Sequence, residues 1–191
     1  MRLTRHPSLI RVVGVAAVAS IVLAACGGGN ADTSPVSTAA AASSDAPVAA
    51  DEDAAAFTQV FAAATPLDGV SFDASTVAGS DAVVWFWAPW CTICRAEAPE
   101  VAEIAERYAD RVQVIGVPGR GDLDAMRAFV DDTGTSSITH LADLDGDVWS
   151  SFGVYGQPAY AFIDDSGSIE VFIGGMGGDA LADRIDELIA A

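Results

Sequence analysis

A central mixed β-sheet with helices packed on both faces is the architecture this sequence predicts, and three observations lead to it. From about Ala54 onward, apolar strand-like runs alternate with helical patterns. Near the C-terminus two apolar runs flank a turn, the form of a β-hairpin, before a last helical stretch. Apolar residues make up 51% of the 191-residue chain and charged residues 19%, enough for one core of ordinary size and too apolar for wholesale disorder.

Each element has its own local reason. Val70 to Phe72 is short and apolar enough for a first strand. Ala82-Val83-Val84-Trp85-Phe86-Trp87-Ala88 is a continuous run of β-branched and aromatic residues, as in a strand buried on both faces. A helix follows from about Thr92 to Tyr108, with Val101, Ile104, Ala105 and Tyr108 on one side and Glu100, Glu103, Glu106 and Arg107 on the other. Pro99 falls inside it and should kink its first turns. Val112 to Val117 reads as a second buried strand, Leu123 to Val130 as a helix, and Ile138 to Ala142 as a short strand. Asp143-Leu144-Asp145-Gly146-Asp147 has the look of a calcium loop but lacks the distal glutamate, so a polar turn is expected. Ala159 to Asp164 and Ser168 to Phe172 form the hairpin strands around Asp164-Asp165-Ser166-Gly167. The closing helix begins near Asp179 and should bury Leu181, Ile185, Leu188 and Ile189. Phe129, Trp149, Phe152 and Phe162 are assigned to the core.

Ahead of this domain lie two segments of different character. Arg2, Arg5 and Arg11 precede an uncharged apolar run, Val12 to Ala25, in the order of a secretory signal and too short for a permanent span. The run ends in Leu23-Ala24-Ala25-Cys26, which resembles the lipobox of bacterial lipoproteins. That resemblance implies a signal over residues 1–25 and a lipid on Cys26, hence attachment to the outer face of the cell membrane. A plain secretion signal with a chance cysteine is the alternative. Residues 26–53 then form a tether with no aromatic residue, Leu or Ile, expected to be a flexible coil closed by Asp51-Glu52-Asp53. The folded domain is expected over residues 54–191.

Charge narrows the partners. Nine basic residues, all Arg, face 27 Asp and Glu. Without the signal, six Arg remain and the charge becomes −21. Nucleic acid is excluded as a partner, because its binding depends on basic side chains that release counterions from phosphate.

The chemistry is concentrated in Trp87-Ala88-Pro89-Trp90-Cys91-Thr92-Ile93-Cys94. Two cysteines spaced C-x-x-C stand where a buried strand gives way to a helix. Free backbone N–H groups and the positive end of the dipole favour the thiolate of Cys91 there. Cys94, one turn deeper, is suited to resolve a mixed disulfide formed on Cys91, which is expected to be the exposed member. Zinc would need two further ligands where the mature chain supplies only His140, so no metal is expected. A structural bridge is a second alternative, though one over so small a loop removes little chain entropy, and two buried, inert thiols are a third, against which their placement at a helix start speaks.

At these residues the sequence resembles the thioredoxin superfamily, and more narrowly the exported TlpA/DsbE-type thiol–disulfide oxidoreductases, from about Phe57 to the C-terminus. The resemblance implies a thioredoxin-like fold and a redox-active Cys91–Cys94 pair with no cofactor. It also places a cis-proline at Pro158, in Gly153-Val154-Tyr155-Gly156-Gln157-Pro158-Ala159. The backbone of Gln157 would then pair with an extended client segment; an ordinary trans proline is the alternative. Glu97 stands where TlpA-like proteins keep a glutamate near the cysteines, either as a proton relay to Cys94 or as an exposed helix residue. Thioredoxins proper carry an aspartate six residues before the first cysteine, and here that position is Trp85. Trp90 is expected to form an apolar rim beside Cys91, for client contact, and Trp87 to pack the core.

The implied activity is exchange of thiols and disulfides with exported proteins, first in the oxidising direction, with an unidentified membrane redox partner to recycle the pair. A reductase of client or apocytochrome disulfides is the alternative, and a non-catalytic client-binding lipoprotein is the reading from another class. A peroxidase is disfavoured, since tryptophans surround the pair and no peroxide pocket is evident.

Overall fold

The computed structural model describes residues 48–191. The expected signal, Cys26 and the tether up to residue 47 lie outside the described residues. The elements in order are α1 (Val48–Phe61), β1 (Thr65–Pro66), a 3-10 turn (Ala74–Val77), β2 (Ala82–Trp87), α2 (Thr92–Tyr108), β3 (Gln113–Pro118), α3 (Leu123–Thr133), β4 (Thr139–Ala142), α4 (Asp147–Ser151), β5 (Ala159–Ile163), β6 (Ile169–Ile173) and α5 (Gly178–Ile189).

Six strands form one mixed sheet in the order β1-β4-β3-β2-β5-β6. The central trio β4-β3-β2 is parallel, while β1, β5 and β6 join antiparallel to their neighbours. In β2 every residue is buried, as its uninterrupted apolar sequence requires. The strand period of two sends its side chains alternately to two cores. Val83, Trp85 and Trp87 pack with α2, α3 and α5 residues such as Val101, Phe129 and Leu181. Ala82, Val84 and Phe86 pack on the other face with Phe57 and Phe61 of α1 and with Trp149 of α4. Each such large side chain, fully buried, contributes about 1.5–3 kcal/mol.

Most of the predicted elements are present, including the hairpin and the closing helix. Leu181 and Ile185 are buried, whereas Leu188 and Ile189 are only partly covered. The structure departs from the sequence reading in four places. Residues 48–53, expected as the end of a coil, are helical, because the alanine-rich run has high helix propensity and Phe57 and Phe61, one turn apart, bury against the sheet. Val70 to Phe72 is not a strand; Thr65–Pro66 pairs with β4 instead. Asp68 Oδ1 accepts the Val70 N–H, and Asp73 Oδ1 accepts the Ser75 N–H, so local side-chain bonds compete with a ladder. Val70 itself is exposed.

A third difference is α3, which continues to Thr133 and stops at Gly134 in the left-handed conformation, whose N–H bonds the Val130 carbonyl. Lastly, the polar turn after β4 leads into a short helix, α4, that was not foreseen. The Asp143 carboxylate, 1% exposed, accepts the N–H groups of Gly146 (3.0 Å) and Trp149 (2.8 Å) and so holds that helix against the sheet. Helix α2 runs through Pro99, which lacks the N–H that would bond the Arg95 carbonyl.

Candidate active site

The C-terminal ends of β2 and β3 lie side by side, and the loops leaving them build the site. Cys91 is the N-cap of α2. Its Sγ is bonded to that of Cys94, with the Cα atoms 5.3 Å apart, and accepts the Cys94 N–H at 3.1 Å. A sulfur in this place faces the unpaired N–H groups of the helix start, the setting that stabilises a thiolate once the bond opens. Cys94 is fully buried and Cys91 is 6% exposed. The predicted order of exposure holds, but Cys91 is far more covered than an exposed nucleophile was expected to be, because both cysteines join the core that contains Trp85, Trp87 and Tyr160.

Trp90 is 60% exposed and Ile93 58%, so apolar surface borders the pair on both sides. Trp87 has a different duty, stacked on Phe129 with ring centroids 4.1 Å apart. Its indole N–H points to Nδ1 of the buried His140 at 3.4 Å, while Nε2 of the same ring lies 3.0 Å from the Thr135 carbonyl. The carbonyl can only accept, so the imidazole carries its proton on Nε2 and receives the Trp87 N–H on Nδ1. Burial pushes the His140 pKa down to about 4.

Glu97 is buried, 7% exposed, which removes the exposed-helix alternative. The Trp85 indole N–H donates to its Oε1 at 3.1 Å, and the Met176 N–H donates to Oε2 at 3.2 Å. Thioredoxins proper place a carboxyl on the strand at the position of Trp85. Here the carboxyl comes from α2, and the tryptophan on the strand supports it. The spacing i, i+3 sets Glu97 one turn beyond Cys94 on the same helix face. Burial raises the Glu97 pKa above the ordinary 4.5, against the lowering effect of its hydrogen bonds. The hydroxyl of Tyr160, wholly buried, faces the same carboxyl without a hydrogen bond of good geometry. Gly175 closes over this group: a β-carbon there would stand 3.0 Å from Ile93 Cγ2 and 3.2 Å from Glu97 Oε2.

The Gln157–Pro158 peptide bond is cis, and Pro158 is buried at the head of β5. A β-carbon on Gly175 would also stand 3.8 Å from Pro158 Cγ, so the proline, Ile93 and Glu97 converge on one glycine. Gln157 is half-buried, and its side-chain Oε1 accepts from Arg120 at 3.0 Å. The structure thus brings Trp90, Cys91, Cys94, Glu97, Gln157 and Pro158 to one end of the sheet. Sequence reasoning missed Trp85 as the partner of Glu97, and it missed Tyr160 and Arg120. The one advance signal for Arg120 was its place between two glycines in Gly119-Arg120-Gly121.

A mixed sheet with a C-x-x-C disulfide at the start of the helix after its central strand, and a cis-proline at the head of β5, defines a thioredoxin-like protein. The chain belongs to the AhpC/TSA family, whose model matches residues 51–172. It is 39% identical over 105 residues to the soluble secreted antigen MPT53 of Mycobacterium tuberculosis, covering 55% of this chain and 60% of that protein. The match therefore spans three-fifths of the relative's length. Among solved structures, that of MTB dsbF in mixed oxidised and reduced forms superposes with a TM-score of 0.63 at 44% identity, over 65% of this chain and 92% of the other. A secreted M. tuberculosis disulfide oxidoreductase described as homologous to E. coli DsbE has a TM-score of 0.61 at 36% identity, over 65% and 94%.

Proposed function

We propose that this protein is a thiol–disulfide oxidoreductase that acts on exported proteins through Cys91 and Cys94, in the oxidising direction. The observation that carries the reading is the Cys91–Cys94 disulfide at the N-cap of α2, in a chain whose Gln157–Pro158 bond is cis. A client thiolate attacks Cys91 Sγ, the Cys91–Cys94 bond breaks, and Cys94 leaves as a thiolate. Glu97, buried one helical turn beyond Cys94, passes a proton to it. A second client thiolate then attacks the client sulfur of the mixed disulfide and expels Cys91. Two electrons pass from client to protein, and a membrane redox partner removes them to restore the pair.

The oxidising direction is supported by the N-cap position of Cys91. Stabilising its thiolate stabilises the reduced form, which makes the disulfide a stronger oxidant. The description of one similar protein as a secreted disulfide oxidoreductase supports export, and the signal-like residues 1–25 and Cys26 support attachment through lipid to the outer face of the cell membrane. Trp90 supplies apolar contact for the client, and the Gln157 backbone pairs with it.

Equilibration with glutathione redox buffers, followed by tryptophan fluorescence, tests the direction. A midpoint well above about −270 mV, the thioredoxin value, is expected; one at or below it would assign a reductase. Cys94→Ser should accumulate mixed disulfides with exported proteins through Cys91, and recovery of none from cells would count against exchange altogether.

A further inference from the structure

Gly119-Arg120-Gly121 follows β3 and occupies the gap between the two halves of the site. Arg120 takes φ +56°, a left-handed conformation that a side chain with a β-carbon enters at a cost. Neither neighbour tolerates a side chain. A β-carbon at Gly119 would lie 2.9 Å from Trp149 Cε2, and one at Gly121 would lie 2.9 Å from Pro89 Cδ. The turn is therefore wedged between α4 and the segment that leads into Cys91.

That geometry directs the two ends of Arg120 to different loops. Its carbonyl accepts the indole N–H of Trp90 at 2.8 Å, next to Cys91. Its guanidinium donates from Nη1 to Gln157 Oε1 at 3.0 Å and from Nη2 to the Tyr155 carbonyl at 2.8 Å. The same group lies 4.9 Å over the Trp149 ring, which fixes its plane from below. One residue thus ties the rim of the cysteine pair to the segment that ends in the cis bond. A glycine would adopt this backbone without cost, yet a residue with a forked donor stands here.

We infer that Arg120 is a positioning residue for client binding: it holds Gln157, and with it the strand-pairing backbone before Pro158, in register with Trp90 and Cys91. The inference rests on the exchange activity proposed above. It distinguishes two kinds of thiol. An extended peptide must pair with the Gln157 backbone while its sulfur meets Cys91, so it depends on the register. A small dithiol reaches Cys91 with no such pairing.

The test compares wild type, Arg120→Gly and Arg120→Lys as full-length oxidised protein. Rates are read with dithiothreitol and with a synthetic ten-residue peptide bearing two cysteines, and thermal unfolding serves as the control for folding. Arg120→Gly relieves the left-handed backbone while losing two exposed hydrogen bonds and the Trp149 contact, so its melting temperature should shift by only a few degrees. Its KM for the peptide should rise about tenfold or more, with the dithiothreitol rate changed less than twofold. Arg120→Lys keeps the charge but loses the fork, and should recover only part of the peptide KM. Equal losses with both thiols, or an unchanged peptide KM, would overturn the role of Arg120 while leaving the exchange reading intact. A wild-type protein that oxidises neither thiol would overturn the exchange reading and this inference together.

Discussion

Lowering the pH below neutrality should destabilise this protein through His140, a buried residue on β4. His140 is buried and accepts the Trp87 indole N–H on Nδ1, so a second ring proton would be placed against another donor. The groups around it offer little relief. Thr135 presents a carbonyl to Nε2, Gly116 lies against the ring, and Asp68 acts only at a distance. The imidazole pKa falls from 6.5 to about 4. A depressed folded value means that the unfolded chain binds the proton first. The stability tied to neutral His140 is therefore complete above pH 6.5 and is lost as pH falls toward 4. A gap of about 2.5 pH units at 1.36 kcal/mol each sets a limit of about 3.4 kcal/mol, of which about 1.8 kcal/mol is lost between pH 7 and pH 5. Urea unfolding of wild type and His140→Gln at both pH values isolates the effect, because every other group titrates in both proteins. At about 2 kcal/mol per M, the wild-type midpoint should fall by about 0.9 M more than that of the variant. An NMR titration of the His140 ring gives a second reading. Equal shifts in the two midpoints, or a His140 ring that protonates near 6.5, would refute the argument.

Glu97 works in the opposite direction. Its folded pKa is raised, so its contribution is fully present below the ordinary glutamate value of 4.5 and is lost as pH rises through the folded value. Glu97→Gln should flatten the decline of stability above pH 4.5 in urea titrations, and should remove one ionisation from the pH profile of the exchange rate. Asp143→Ala leaves the N–H groups of Gly146 and Trp149 without their acceptor; a loss of about 2–4 kcal/mol is expected in equilibrium unfolding, with the redox midpoint unchanged.

The central strand, the helix after it and the cysteine pair could be read directly, because each is a local pattern. An unbroken apolar run has few alternatives to a buried strand, and C-x-x-C at a strand–helix junction has few alternatives to a redox pair. Pro158 was legible through family resemblance, since its neighbours alone do not distinguish cis from trans. Glu97 was left open between buried and exposed because both its partners are remote. Trp85 lies 12 residues before it, and Met176 lies 79 residues after it.

What the order of residues determined alone was therefore the chemistry: two thiols spaced C-x-x-C at a helix start. Folding decided their surroundings. Local periodicity can state which face of a helix is apolar, but not what will cover it. Only the closing of the sheet covered Cys91, sank the Glu97 carboxyl and brought Arg120 between Trp90 and Gln157, residues 30 and 37 positions away along the chain. Burial and contact between distant segments are properties of the assembled packing, and they set proton affinities and register where short-range propensity has no say.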